Sequence, residues 1–477
     1  MEDFNLFSRR DFLKGVGAAS AAGLTLWAGG CESCKNQIEH RPTRRNIANL
    51  APNDPIIQTY KDAVAAMKAL PTSDGRNWTK QAEIHLNHCP HSNWFFLPWH
   101  RAYLLYLERI CRKLTGNNDF ALPYWNWTSS PSIPAPFWGS GNPLLNTTRF
   151  ATAGSVANSS MVGPAVITNI LNQTNFFLFA SNAATTQRQV AGAGMLEQTP
   201  HNYIHGFVGG DMSSYMSPLD PIFYCHHNVI DCLWVDWNIN RGNPNTNDSS
   251  WNNFAFTDFV DENGSPVSVQ VITTILFPIF SYQYEPCGPS MMSAKIADKK
   301  LLEKWLREGA PAKLDFIKRF EVRPSLTGDL GKPAGGTIKI EPEAFRSVLD
   351  ANGKDKAVLT LDEVEIPEKQ DVFVRVFINK PDASANTSID DPHYAGSFAF
   401  FCCSEESMKG QQGMAMAGRP KTGFLVDVTP TLRKLGQGGS LSSAQLEITL
   451  VPVPYENRPV ITKRVTLGRL EIGVARF

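Results

Sequence analysis

The 477-residue chain carries no net charge: 45 Lys and Arg stand against 45 Asp and Glu, and charged residues make up only 19% of it. Nucleic-acid or other polyanion partners are therefore not expected, because such binding rests on an excess of Lys and Arg that neutralises phosphates. Downstream of residue 30 there is no run of 18 apolar residues, so no stable membrane span is expected in the mature chain. A folded core is within reach, with 42% hydrophobic residues and ordinary Gly and Pro counts, and the length suggests two or three domains. Histidine is scarce as well. There are ten, and eight of them crowd into two short windows, residues 85–100 and 201–227, with only His40 and His393 outside.

The first thirty residues read as an address label. Ser8-Arg9-Arg10-Asp11-Phe12-Leu13-Lys14 precedes an apolar, small-residue run from Gly15 to Trp27 that has no polar face. This is the pattern of a twin-arginine export signal over residues 1–30, which predicts a periplasmic or extracellular protein. Cys31 follows Ala28-Gly29-Gly30 and offers a lipid anchor, although Ala28 makes a poor lipobox. Nine cysteines are an odd number, so one is left without an intrachain disulfide partner unless it is modified.

In the mature chain, Ile57, Tyr60, Val64, Met67 and Leu70 recur at helical spacing and predict a helix over 54–70 ended by Pro71. Residues 102–110 and 229–240 predict further helices, so helices flank or carry both histidine windows. Residues 128–190 are rich in Ser, Thr, Asn, Gly and Pro and predict a loop-dominated insertion with a short helix around 164–172. From about residue 333 the pattern turns strand-like, with segments at 337–340, 358–361, 372–378, 424–428, 446–451 and 465–474. The fold class expected is α+β and multi-domain: a mainly helical, four-helix-bundle core followed by a β-sandwich-like C-terminal domain.

His201 and His205 are four apart, so on a helix they share a face and can bind one metal ion. A third imidazole comes from His226 or His227. Neither window carries the Glu-x-x-His pairs of a ferritin-like di-iron site. Asn202 stands where a zinc metalloprotease has its Glu base. All-imidazole ligation at two sites suits copper or zinc, and the aromatic surroundings favour redox chemistry on O2, hence copper.

The stretches Ile84-His85, Cys89-x-His91, Phe96-Leu97-Pro98-Trp99-His100-Arg101, Pro200-His201-Asn202-x-x-His205 and Asp220-Pro221-x-Phe223-x-x-His226-His227 closely resemble the type-3 copper tyrosinases and polyphenol oxidases. Tyr282-Gln283-Tyr284 is similar to the tyrosine motif that closes the plant catalytic core. Val372–Asn379 with Ala395–Phe398 resembles the plant C-terminal domain.

The resemblance implies two copper ions, one on His85, His91 and His100 and one on His201, His205 and His227, with O2 as co-substrate. His88 ranks second as a ligand, and His226 is expected to be structural. It also implies a thioether from Cys89 to His91 and a ring at Phe223 packed over the second copper's imidazoles. Glu197 and Asn202 would hold a water that acts as base toward a phenol. Asp231, one turn beyond His227, is a candidate acceptor for an imidazole N–H. Ser214 or Met216 falls where the family has a gate residue.

The expected activity is copper-dependent oxidation of small phenols by O2, ortho-hydroxylating monophenols and oxidising catechols to o-quinones. Catechol oxidation alone, a haemocyanin-like O2 carrier and a zinc hydrolase are the alternatives. The domains expected are a signal at 1–30, a dicopper catalytic domain at 45–290 whose part 250–290 closes the core, a linker at 291–332 and a shielding domain at 333–477. Met408, Met414 and Met416 form a loop that could hand over Cu(I). Oligomeric state is unknown from the sequence.

Overall fold

The computed structural model describes residues 41–288, 314–321, 327–328, 332–350, 352–367, 371–401, 421–439, 441, 445–456, 458, 465–466 and 468–476. The leader, Cys31 and the Met408–Met416 loop lie outside the described residues. Among those described, no helix is long and apolar enough to cross a membrane.

Helix α1 spans Pro55–Ala69. Asp54 caps it by accepting the Ile56 N–H, and Pro55 sits in the first turn, where a missing N–H costs nothing. Helix α2 spans Trp78–His88, capped by Asn77, which accepts from the N–H groups of Thr79 and Lys80. Helix α3, Phe96–Thr115, is buried along most of its length and ends at Gly116 with φ 70°, a left-handed stop that suits glycine. Helix α4 is Asn202–Val208 and α5 is Ile222–Val235, in which every residue is buried. Helix α6, Val271–Phe280, lay within the range expected to close the core. Helices α1, α5 and α6 pack on α3, which makes α3 the axis of the core. The short helix at Pro164–Leu171 matches the expectation, and two further single turns, Ser159–Val162 and Phe176–Phe179, interrupt the insertion.

Strand β1, Thr43–Arg44, pairs in parallel with β2, Gln283–Tyr284, so the two ends of the core are tied to each other. Arg44 is fully buried beneath this tie. It donates to Glu108 at 2.9 Å, Asn228 at 2.8 Å and the Tyr284 hydroxyl at 2.9 Å. Asp231 accepts from Arg101 at 2.5 Å, Tyr282 at 2.7 Å and Tyr284 at 2.6 Å. This replaces the expectation that Asp231 serves an imidazole: it neutralises buried guanidinium groups instead. A disulfide, Cys232–Cys287, fastens α5 to the same end.

The C-terminal part is a sandwich of two antiparallel four-stranded sheets, numbered here as β3 (Asp315–Glu321), β4 (Ala334–Lys339), β5 (Lys356–Glu365), β6 (Val372–Ile378), β7 (Tyr394–Ala399), β8 (Lys421–Asp427), β9 (Gln445–Pro454) and β10 (Arg469–Arg476). The sheet orders are β7-β6-β9-β4 and β8-β5-β10-β3. Alternate inward residues such as Leu359, Val374, Val426, Ile448 and Ile472 form one shared core. Strand β3 lies inside the range expected to be a linker, so the sandwich begins earlier than its sequence pattern suggested. Its alternation is weak because it is an edge strand with one buried residue, Phe320.

Candidate metal centre

The six histidines read from the sequence converge. His85 comes from α2, His100 from α3, His205 from α4 and His227 from α5, while His91 and His201 sit just before α3 and α4. His100 and His227 stack at 4.2 Å between ring centroids, and His91 faces His201 at 5.6 Å. The result is two facing trios.

Three of these six rings have a tautomer fixed by a backbone carbonyl. His85 Nδ1 lies 2.7 Å from the Tyr215 carbonyl, His100 Nδ1 2.8 Å from that of Phe96, and His205 Nδ1 2.6 Å from that of Met212. A carbonyl can only accept, so each Nδ1 carries the proton and each Nε2 presents a lone pair. The Nε2 atoms of His85, His91 and His100 are buried and have no partner. In the second trio, His205 Nε2 lies 3.1 Å from that of His201 and 3.3 Å from that of His227. Three Nε2 atoms converging on one buried point fit a cation held between them. Burial pushes every one of these imidazoles far below the ordinary histidine range, His100 and His205 to about 3, so they are neutral donors at neutral pH. The donor set therefore fits two soft-to-borderline metal ions and includes no carboxylate.

The remaining candidates fall into place around the trios. Phe223 packs 4.2 Å from His227 and 5.0 Å from His85, over both trios. Cys89 is buried with its Sγ 3.4 Å from His91 Nδ1 and takes part in no disulfide. Glu197 accepts from the Ser92 N–H at 2.6 Å and the Ser181 hydroxyl at 2.5 Å, and burial raises its carboxyl to about 8. Asn202 accepts from His201 Nδ1 at 2.9 Å and donates to the Ala399 carbonyl at 3.0 Å. His88 points away: it is 47% exposed and pairs with Asp258 at 3.2 Å. His226 is buried against His201, and the Trp127 indole N–H donates to its Nδ1 at 3.2 Å. It lies within 4.8 Å of the second trio's donors.

Two residues escaped the sequence reading. Tyr215 lies between the two gate candidates; its carbonyl anchors His85 and its ring stacks on His91 at 5.2 Å. Phe401 reaches in from just beyond β7, with its ring 4.2 Å from His205 and 4.8 Å from His91, and is 5% exposed. The apolar run Phe398–Phe401 hints at burial but not at this destination.

Two facing trios of neutral, buried imidazoles define a dinuclear, histidine-bound metal protein. Residues 59–176 and 142–240 match the family described as the common central domain of tyrosinase. Residues 336–473 match a domain of unknown function, DUF7868. The chain is 26% identical to tyrosinase HcTyr1 of Hahella sp. (strain CCB-MM4), over 90% of this chain and 98% of that one. It is 28% identical to the chloroplastic (+)-larreatricin hydroxylase of Larrea tridentata, over 92% and 79%. Latent aurone synthase, a polyphenol oxidase, has the same fold over 92% of this chain and 90% of its own, with a TM-score of 0.69 and 21% identity. The chain carries the central domain of tyrosinase over residues 59–240, and is an oxidoreductase that uses two copper ions to oxidise phenols.

Proposed function

We propose that His85, His91 and His100 hold one copper, that His201, His205 and His227 hold the other, and that the enzyme ortho-hydroxylates monophenols as well as oxidising catechols to o-quinones. The observation that carries the ligand reading is the inward set of Nε2 lone pairs, fixed on three rings by carbonyls at Nδ1. When bound, the copper pair activates O2 and accepts electrons from the phenol. The protein holds three imidazoles per ion, and Phe223 restricts ring motion on the floor of the site. A thioether from Cys89 would lock the His91 ring further.

Hydroxylation needs the phenol proton removed near the metals. Glu197, with its carboxyl raised to about 8, is matched to proton exchange near neutral pH. Its bond to the Ser92 N–H ties the segment before His201 to the residue after His91. Together with Asn202 it is suited to hold the water that takes the proton. Wild type and Asn202→Ala, loaded with copper, should be compared in initial-rate hydroxylation of a simple monophenol. Absence of monophenol turnover by the wild type refutes the hydroxylase reading and leaves catechol oxidation.

Phe401 supports a shielding role for the domain over 333–477, since its ring occupies space that a phenol would need. Export through the leader at 1–30, to the periplasm or beyond, fits the Cys232–Cys287 disulfide, a bond that persists in oxidising compartments. The mass of the mature N-terminus tests both cleavage and lipidation at Cys31.

A further inference from the structure

The residues before α4, Glu197–His201, form a π-helical turn that contains Pro200, a local irregularity of the kind found at functional sites. Polar side chains of this turn and of Asn202 reach the sandwich rather than the core. Gln198, 1% exposed, donates to the Leu425 carbonyl at 2.5 Å and accepts the Leu425 N–H at 2.9 Å. It thus pairs with β8 as a strand neighbour would. The Thr199 hydroxyl donates to the Ser397 carbonyl of β7 at 2.8 Å. Asn202, 4% exposed, donates to the Ala399 carbonyl at the end of the same strand. Further along α4, Arg458 donates to the carbonyls of Gly206 and Phe207 at 2.6 Å each. A Cβ at Gly206 would lie 2.3 Å from the Tyr455 hydroxyl, so the close docking of the sandwich requires glycine there.

One of these bonds sets a proton. The Ala399 carbonyl can only accept, so it fixes the Asn202 amide with Nδ2 toward β7 and Oδ1 toward His201. That oxygen in turn requires the proton on His201 Nδ1 and leaves Nε2 free as a donor to metal. His85, His100 and His205 are oriented by carbonyls of the helical core itself. His201 alone among these four depends on the other domain.

We propose that the sandwich is a positioning scaffold for the second copper, with Gln198 and Asn202 as the positioning residues that transmit it. This rests on the ligand reading above. The covering domain also holds part of what it covers, so access to the site comes from displacement of Phe401 while β7 and β8 keep their grip on Asn202 and Gln198.

The test is release of copper from the holoprotein to a chelator, followed for Gln198→Ala and Thr199→Val with Phe401→Ala as the control. Thr199→Val removes one hydroxyl without changing side-chain size, so it keeps the test open where Gln198→Ala does not fold. Thr199→Val, which loses one hydrogen bond, should release one of its two copper ions about fivefold faster, and Gln198→Ala, which loses two, faster still, with the other ion unchanged in both. Phe401→Ala, which opens the site and removes no hydrogen bond from the turn, should speed both ions together. Equal acceleration of both ions in the Gln198 or Thr199 variants, or of neither, overturns the scaffold. A wild-type chain that takes up fewer than two copper ions overturns the ligand reading instead.

Discussion

Replacing Phe401 by alanine should unmask the site, and the size of the effect follows from what the ring now contacts. The side chain is 5% exposed and lies 4.2 Å from His205, 4.8 Å from His91 and 5.6 Å from Tyr215 between ring centroids. Withdrawing it to water forfeits about 2 kcal/mol of burial and about 1 kcal/mol of aromatic pairing. At 1.4 kcal/mol per tenfold, the open form is about one molecule in a hundred. A catechol that binds only the open form has its apparent affinity reduced by that fraction. Phe401→Ala should therefore lower KM for a neutral catechol on the order of a hundredfold and leave kcat nearly unchanged, because the histidines are untouched. The assay is initial quinone formation against catechol concentration, with copper content and a melting curve taken on the same samples. An unchanged KM in a variant that melts cooperatively and carries two copper ions would refute the reasoning.

Three other outcomes are expected. Cys232→Ser opens a loop of 55 residues and should cost about 4 kcal/mol in denaturant unfolding; a loss under about 1 kcal/mol would mean that the buried network around Asp231 already closes the core by itself. Asp231→Asn removes the charge and one of the two oxygens that accept from Arg101, Tyr282 and Tyr284, leaves buried guanidinium charge uncompensated, and should cost about 3–5 kcal/mol, measured the same way. In the copper-free protein the Glu197 carboxyl is raised from 4.5 to about 8 by burial, so folding favours its protonated form. That contribution is complete below pH 4.5 and is lost as pH climbs toward about 8. Glu197→Gln should flatten the stability curve across this window, and parallel curves for variant and wild type would argue against a raised carboxyl.

The histidine site was legible because its chemistry is written in short stretches. An i,i+4 pair and a closely spaced cluster place imidazoles on neighbouring helix faces whatever the rest of the chain does. Strand β6 was legible for a similar reason: Val372–Ile378 is apolar at every position but Arg375, the mark of a strand buried on both faces. Strand β3 was not, since an edge strand that buries only Phe320 carries little pattern. Asp231 was misread because helical spacing shows which residues share a face but not what fills the space opposite, here Arg44 and Arg101 arriving from distant segments. Phe401 and the carbonyl of Ala399 were invisible in a stronger sense. They act at the site through tertiary approach from another domain, and a backbone carbonyl has no signature in any sequence.

The parallel pairing of Thr43–Arg44 with Gln283–Tyr284 also bears on how the protein is made. Arg44 meets its Tyr284 partner across 240 residues, so on the ribosome the core stays unlatched until the segment through Cys287 has emerged. His227 is made sixty residues before that cysteine, an interval of about 3–12 s at ordinary elongation rates. For that time all six imidazoles exist in a chain whose central arginine still lacks its Tyr284 partner. The metal pocket therefore takes its final shape late, after its own residues are complete, and copper arriving earlier would meet loose histidines rather than two finished sites.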